Sequence, residues 1–122
     1  MHTIKDDIVA FMSEEYEGLY LHAKKTTGEQ QVDMKKVGVD GVKNMEADPW
    51  AWFRMIPVVD DKFAFESLKF PGYFLEDTSA PFGSVTSHIK LKKSTLEIAK
   101  DTSKDFKDNK GWALQFFIKY AD

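Results

Sequence analysis

Short apolar runs separated by turn residues are the main pattern along this chain. Residues 8–23 form two β-rich runs around an acidic turn that ends at Gly18. Residues 32–37 alternate between apolar and polar side chains as far as Lys36, which predicts a strand with one buried face and one wet face. The densest apolar run covers residues 50–56 and is followed by a proline, which cannot donate to a sheet ladder. This pattern predicts an all-β protein.

The same succession of runs occurs twice. Residues 11–21 and residues 65–75, aligned without a gap, share Phe, Ser, Gly and the final Leu. Each copy has a strand that ends in Phe-x-Ser, a tight corner closed by Gly and a second aromatic strand, a pattern typical of a hairpin. Two further pairs of segments match: residues 32–36 with 89–93, and residues 50–56 with 112–118. The three offsets are 54, 57 and 62 residues, which indicates that the insertions lie in the connections.

The repeat predicts a single domain over residues 1–122, with repeat one at about residues 8–57 and repeat two at about residues 62–120. Each repeat supplies four strands. The longest connection begins at Ser94 and carries Glu97 three residues on, which is the spacing of a capping box. A short helix is therefore expected there. The tryptophans of the dense apolar runs are expected in the core, because large aromatic side chains dominate protein cores.

Two known families resemble the segment that joins the repeats. Residues 52–57 and 65–75 are similar to the arabinofuranosidase-B arabinose-binding family, whose units share a Phe-Arg-x-x-Pro, Phe-Glu-Ser, Pro-Gly-Tyr-Leu pattern. The same segment resembles the interleukin-1 family signature, in which Phe-x-Ser, a small apolar residue, two variable places and Pro precede an aromatic strand. Glu76 and Asp77 replace the small residue and the Thr of that signature. The matching residues are Phe65, Ser67, Leu68, Pro71, Phe74 and Leu75.

Both families are β-trefoils, which have three four-stranded units around a pseudo-threefold axis. The resemblance therefore implies a β-trefoil-like fold built from two visible four-stranded repeats. The third unit would be degenerate, missing or supplied by another chain. The same count of units supports the hypothesis that copies of this chain assemble into a homo-oligomer.

A βγ-crystallin-like double Greek key is the alternative fold, because that domain is built from two such motifs. Its corner has an aromatic residue, four residues, a second aromatic residue, one residue and Gly. Two sets of residues satisfy this spacing: Phe11, Tyr16 and Gly18, and Phe65, Phe70 and Gly72. The family's later Asx-x-x-Ser-Ser stretch, which helps to bind calcium, is absent from this sequence. Calcium needs several converging oxygen ligands, so the resemblance favours the fold more than the calcium function.

Composition narrows the classes of function. The chain has 17 basic and 20 acidic residues and a net charge of −3, so no overall field attracts it to nucleic acid or to an anionic membrane. No apolar run has the roughly 18 residues that a membrane span requires. The absence of cysteine excludes disulfides and thiolate metal sites, and a cytoplasmic location is expected, with unconventional secretion left open.

Five residues after equivalent strands are candidates for a ligand site. Sugar recognition uses an aromatic face against the ring, with carboxylates or amides on the hydroxyl groups. The candidates are Tyr20 and His22 in repeat one, and Tyr73, Glu76 and Asp77 in repeat two. The alternative is that both tyrosines pack inside their hairpins and that the acidic pair is a solvated turn. The histidines are not spaced as metal ligands, and neither a metal nor a cofactor is expected.

The sequence predicts a non-enzymatic binding module. It contains no Ser-His-acid arrangement and no phosphate-binding glycine loop, and its adjacent acidic residues lie at turns, where two carboxyl groups rarely face each other. The arabinose-binding resemblance implies a carbohydrate ligand, as in a lectin. The interleukin-1 resemblance implies a leaderless cytokine-like protein that binds a protein receptor. The crystallin resemblance implies a structural protein, and these alternatives stay open.

Overall fold

A computed structural model describes residues 1–13, 18–26, 29–58, 62–77, 89–101 and 114–117 of the chain. More than half of these residues lie in β-strands, so the prediction of an all-β protein is confirmed. The strands are β1 (His2–Lys5), β2 (Ile8–Ala10), β3 (Leu19–Thr26), β4 (Glu29–Lys36), β5 (Phe53–Pro57), β6 (Lys62–Ser67), β7 (Tyr73–Asp77), β8 (Ile89–Lys93) and β9 (Phe116–Phe117). The helices are α1 (Gly41–Glu46) and α2 (Leu96–Ala99), and 3₁₀ turns cover Gly38–Asp40 and Pro49–Ala51.

The strands form a large antiparallel sheet and a separate hairpin. The sheet has the order β1-β2-β5-β6-β7-β8, and β9 pairs with β6. Strands β3 and β4 form the hairpin. Within the large sheet, β1, β2, β5, β6 and β9 follow one another by direct pairing, and we refer to these strands as the five-strand row.

The β3–β4 and β7–β8 hairpins pair in matching registers. Leu19 lies opposite Lys36 in the first, and Tyr73 lies opposite Lys93 in the second. The glycine that precedes each hairpin has a positive φ, +85° at Gly18 and +87° at Gly72, a conformation that glycine adopts without strain. Residues that match in sequence at the offsets 54 and 57 therefore hold the same places in the pairing.

The match between the two dense apolar runs is shifted by one residue in the sheet. Val9 lies opposite Phe53 in β5, and Phe63 lies opposite Phe116 in β9. Phe116 therefore takes the place of Phe53, whereas the alignment on tryptophan matches Phe53 with Gln115. The tryptophan of the second run, Trp112, lies outside the described residues.

The apolar side chains form three clusters. The central cluster contains Val9, Phe53, Phe65 and Leu75 of the sheet, and Ala23 of the hairpin belongs to it as well. The two smaller clusters are built alike, each around a buried aromatic ring and small residues. One contains Ala10, Tyr20, Val37, Met45 and Ala51, and the other contains Ala64, Phe74, Ala99 and Leu114.

Each smaller cluster includes a residue of a short helix. Helix α1 supplies the buried Met45. Helix α2 supplies the buried Ala99 and confirms the expectation of a short helix. Its N-cap is Thr95, whose Oγ1 accepts from Ile98 N at 3.2 Å, one residue later than the capping box had indicated. Neither described helix is long and apolar enough to cross a membrane.

Candidate functional site

The β6–β7 corner is held by side chains of β6. Ser67 is buried, and its Oγ accepts from Phe70 N at 3.0 Å. The Glu66 carboxylate accepts from Gly72 N at 2.8 Å. Both bonds satisfy backbone donors of the turn, which fixes its conformation. The corner therefore presents Lys69 and Pro71, which are both exposed, in a defined geometry.

Three aromatic rings contact one another in succession beside this corner. The Phe70 ring packs edge to face on Trp50, with centroids 5.3 Å apart, and its centroid is 6.4 Å from that of Tyr73. Lys69 Nζ lies 4.9 Å from the centroid of the Trp50 ring, within the range of a cation–π contact. All three aromatic side chains are only partly buried. We call Trp50, Lys69, Phe70, Pro71 and Tyr73 the corner patch.

Asp48 positions the tryptophan of this patch. Its Oδ1 accepts from Trp50 N at 3.1 Å and caps the 3₁₀ turn, while its Oδ2 accepts from Tyr20 Oη at 2.8 Å. Lys35 Nζ lies 3.4 Å from the same oxygen. Partial burial raises the pKa of Asp48, but the hydrogen bonds and the Lys35 charge outweigh burial, and the pKa falls below its ordinary value. Burial and the Asp48 carboxylate raise the pKa of Tyr20 to about 12.

Tyr20, expected at a ligand site, is 1% exposed. Its ring belongs to one of the smaller clusters, and its hydroxyl is bonded to Asp48. A ligand cannot reach this phenol without breaking that bond, so Tyr20 is a core residue that links β3 to the turn before Trp50.

His22, the other candidate in repeat one, is partly buried on β3. Its Nδ1 lies 3.3 Å from Asp33 O across the hairpin, and the Asp33 carboxylate pairs with Lys24 at 3.3 Å. The backbone N–H of Met34 and the Lys24 charge hold the pKa of Asp33 below its ordinary value. His22 therefore lies within a polar cross-strand group of the β3–β4 hairpin.

The candidates of repeat two lie on β7. Tyr73 belongs to the corner patch, whereas the Glu76 carboxylate pairs with Lys92 Nζ at 3.3 Å on the neighbouring strand. Asp77 lies opposite Ile89 in the β7–β8 pairing, and its side chain falls outside the described residues. The structure places the candidates of the two repeats in different sheets, so they do not share one sheet surface.

The sequence pattern did not mark Asp48, Lys69 or Phe70 as candidates for a ligand site. Asp48 precedes a proline, and Lys69 and Phe70 lie within the corner motif of residues 65–75. Trp50 was expected in the core but is partly exposed. The signal for Asp48 was its place directly before a Pro-Trp pair, which is where a capping carboxylate is expected.

An apolar cavity of about 290 Å³ lies against the central cluster and is partly open to solvent. It is lined by Phe11, Leu21, Met34, Phe65, Leu75 and Phe116, together with neighbouring residues. Two of these residues, Phe11 and Leu21, match Phe65 and Leu75 at the offset of the repeat. Among the described residues, no three His, Asp or Glu side chains are grouped to hold a metal ion.

Comparison with known proteins adds no family to this description. No protein-family model matches the chain, and no curated protein matches it.

Proposed function

We propose that this chain is a non-enzymatic binding module of β-trefoil-like architecture and that it binds a protein partner through the corner patch. The single observation that carries the proposal is the succession of partly exposed aromatic rings, Trp50, Phe70 and Tyr73, beside the exposed Lys69. A receptor-binding, cytokine-like role is the specific form of this function that the interleukin-1 resemblance implies.

The repeat supports the architectural part of the proposal. Gly18 and Gly72 have nearly the same φ and precede hairpins of the same register. The bridge between Met12 and Tyr20 recurs as the pairing of Glu66 with Phe74, at the same offset in both strands. A duplicated four-stranded unit accounts for this agreement more simply than two unrelated hairpins do.

The contacts of the patch favour a protein ligand over a sugar. Aromatic residues and arginine are enriched among the residues that dominate protein–protein binding energy, and Trp50 and Tyr73 are of this kind. A sugar ring needs an open aromatic face, but Lys69 Nζ lies over the face of Trp50, and the Phe70 ring packs against Trp50 as well. Tyr20, the aromatic candidate of repeat one, is buried.

The test is affinity capture from an extract of the source organism, with a glycan array run in parallel. Phe70→Asp and Lys69→Glu change the patch, and Leu96→Asp is the matched control, because Leu96 is 44% exposed and lies on α2 outside the patch. We expect the unchanged chain and the control to retain the same protein, and the two patch variants to lose it. Circular dichroism checks that each variant is folded.

Two outcomes would overturn the proposal. One is capture of the same protein by both patch variants as well as by the control. The other is binding to a glycan that is lost on substitution of Tyr73 or Asp77, which would favour the carbohydrate-binding alternative.

A further inference from the structure

The apolar cavity lies where three parts of the fold meet. Phe65 and Phe116 reach it from the five-strand row, Leu21 and Met34 from the β3–β4 hairpin, and Leu75 from the β7–β8 hairpin. Protein interiors contain few voids larger than one water molecule, whereas about 290 Å³ has room for several. Water beside apolar walls finds few hydrogen-bond partners there, so an apolar occupant is favoured over water.

Repeat one leaves apolar side chains accessible at positions that repeat two buries. The matched residues are Phe11 and Phe65, Leu21 and Leu75, and Met34 and Leu91. Each residue of repeat two is at most 8% exposed, whereas Phe11 and Leu21 are partly buried and Met34 is 40% exposed. All three residues of repeat one line the cavity. The cavity therefore has walls of the kind that form a filled core in repeat two.

The chemistry of the walls sets the charge of an occupant. Among the described residues that line the cavity, none is charged, and Ser13 is the one with a polar side chain. A charged group held against such walls would lose its hydration without gaining a partner, which costs much free energy. The cavity therefore suits a neutral molecule.

The size and the ring geometry of the cavity set the shape of an occupant. Ligand pockets start at roughly 300 Å³, so a cavity of about 290 Å³ suits a small ligand. Phe65 packs edge to face on Phe11 and on Phe116, with centroids 5.0 and 5.8 Å apart. A further ring gains the same kind of contact, which an alkyl chain does not offer. Met12 and Met34 are flexible thioethers that adapt to a ring and make favourable contacts with it.

We propose that the apolar cavity is a binding site for a small, neutral aromatic molecule of one or two fused rings. The bound rings pack against Phe11, Phe65 and Phe116, and Met12 and Met34 adjust to their outline. The described lining shares no residue with the corner patch, so this is a second site, and it can fail without affecting the proposed function.

The probe is 2-naphthol, a neutral two-ring molecule at pH 7, titrated into the isotope-labelled full chain and followed by NMR. We expect saturable shifts of the methyl signals of Leu75, Ile89 and Met34, caused by the bound rings, and unchanged methyl signals of Leu96, which lies on α2 outside the cavity. The 2-naphthoate anion has the same rings and should bind at least about tenfold more weakly, because its charge finds no partner. The neutral alcohol 1-octanol should also bind more weakly, because its flexible chain loses more conformational freedom.

Two variants of the lining test the position of the site. Leu21→Phe adds bulk to the cavity and should weaken binding of 2-naphthol at least about tenfold, because rings and side chain then compete for the same space. Leu96→Phe makes the same change at a residue that is 44% exposed and lies outside the cavity, and it should leave the affinity within about twofold. Met34→Asp changes a residue that is 40% exposed, with little risk to folding, and should weaken binding by about tenfold. Thermal unfolding checks that each variant is folded.

Three outcomes would overturn the proposal. The first is a titration in which 2-naphthol causes no saturable shift at the methyl groups of the cavity. The second is binding of 2-naphthoate or 1-octanol as tight as that of 2-naphthol, since the ligand would then be neither required to be neutral nor required to be aromatic. The third is unchanged binding of 2-naphthol by folded Leu21→Phe and Met34→Asp, which would place the bound rings elsewhere.

Discussion

Phe11 and Phe65 hold the same position in the two repeats, and their rings meet edge to face with centroids 5.0 Å apart and planes at 84°. Each ring has a second aromatic neighbour, Phe53 for Phe11 and Phe116 for Phe65, at 5.8 Å. The contact is therefore the centre of an aromatic chain that crosses the boundary between the repeats and joins their strands into one core.

A double-mutant cycle with Phe11→Leu and Phe65→Leu measures this contact. We expect the two substitutions to be coupled by about 0.5–1.5 kcal/mol in the free energy of unfolding, which is the usual value of an aromatic pair beyond its buried area. Denaturant unfolding of the four proteins gives the coupling. Phe11→Leu combined with Phe74→Leu is the control, because Phe74 lies in a separate cluster, and that pair should be additive within about 0.5 kcal/mol.

Tyr20→Phe tests the bond to Asp48. Repeat two already has Phe74 at the matching position, so the ring itself suits the site. The loss of the hydroxyl leaves the Asp48 carboxylate, whose side chain is 14% exposed, without its 2.8 Å donor. We expect a loss of about 1–3 kcal/mol in the free energy of unfolding. Tyr73→Phe is the matched control at a partly exposed ring, and an equal loss in both variants would contradict this account.

The same tyrosine predicts a loss of stability in alkali. Its pKa is raised from 10.0 to about 12 in the folded chain, so the folded state favours the neutral phenol. The stabilisation is fully present below about pH 10 and is lost as the pH rises from about 10 through about 12, because the unfolded chain releases this proton first. The measurement is the difference in unfolding free energy between the unchanged chain and Tyr20→Phe across this window. A difference that stays constant with pH would show that the phenol titrates normally.

Gly18→Ala and Gly72→Ala should cost similar amounts. Both glycines have positive φ, +85° and +87°, and an added Cβ would meet no atom within 4 Å at either position, so the cost is that of the backbone conformation alone. That cost is roughly 1–2 kcal/mol for an L-residue with a left-handed backbone. Asparagine tolerates this conformation better, so Gly18→Asn and Gly72→Asn should recover part of the loss in thermal unfolding. The two corners are not equivalent if the stability losses of Gly18→Ala and Gly72→Ala differ by more than the asparagine variants recover.

The sequence predicted the parts of the fold that are local. The corner closed by glycine correctly predicted the strands that begin after Gly18 and Gly72, because a positive φ at glycine marks a turn. The hairpins expected across the corners are reduced to one residue pair each, Met12 with Tyr20 and Glu66 with Phe74. Aligning the two dense apolar runs on Trp50 and Trp112 places β9 one residue out of register, because the sheet aligns Phe116 with Phe53. Identity of residue type is a weaker constraint than the side of the sheet to which a residue points.

The candidate site depended on contacts that the sequence does not reveal. Tyr20 is removed from the surface by its bond to Asp48, which is 28 residues away in the chain. Trp50 and Phe70 come from different connections and meet because β5 and β6 pair. Contacts between residues that are distant in the sequence follow from the topology, which local sequence patterns alone do not determine.

The β3–β4 and β6–β9 pairings differ greatly in the sequence separation of the residues that they join. The long β3–β4 ladder brings together residues as close as Thr26 and Glu29, so it can nucleate within microseconds. The β6–β9 pairing joins Lys62 to Phe117 and must close a long loop first, which makes it a late step in refolding. We therefore expect Phe116→Ala, which removes the ring that packs on Phe65, to accelerate unfolding in stopped-flow experiments while the refolding rate stays nearly unchanged, so that the lifetime of the native state is set at β9.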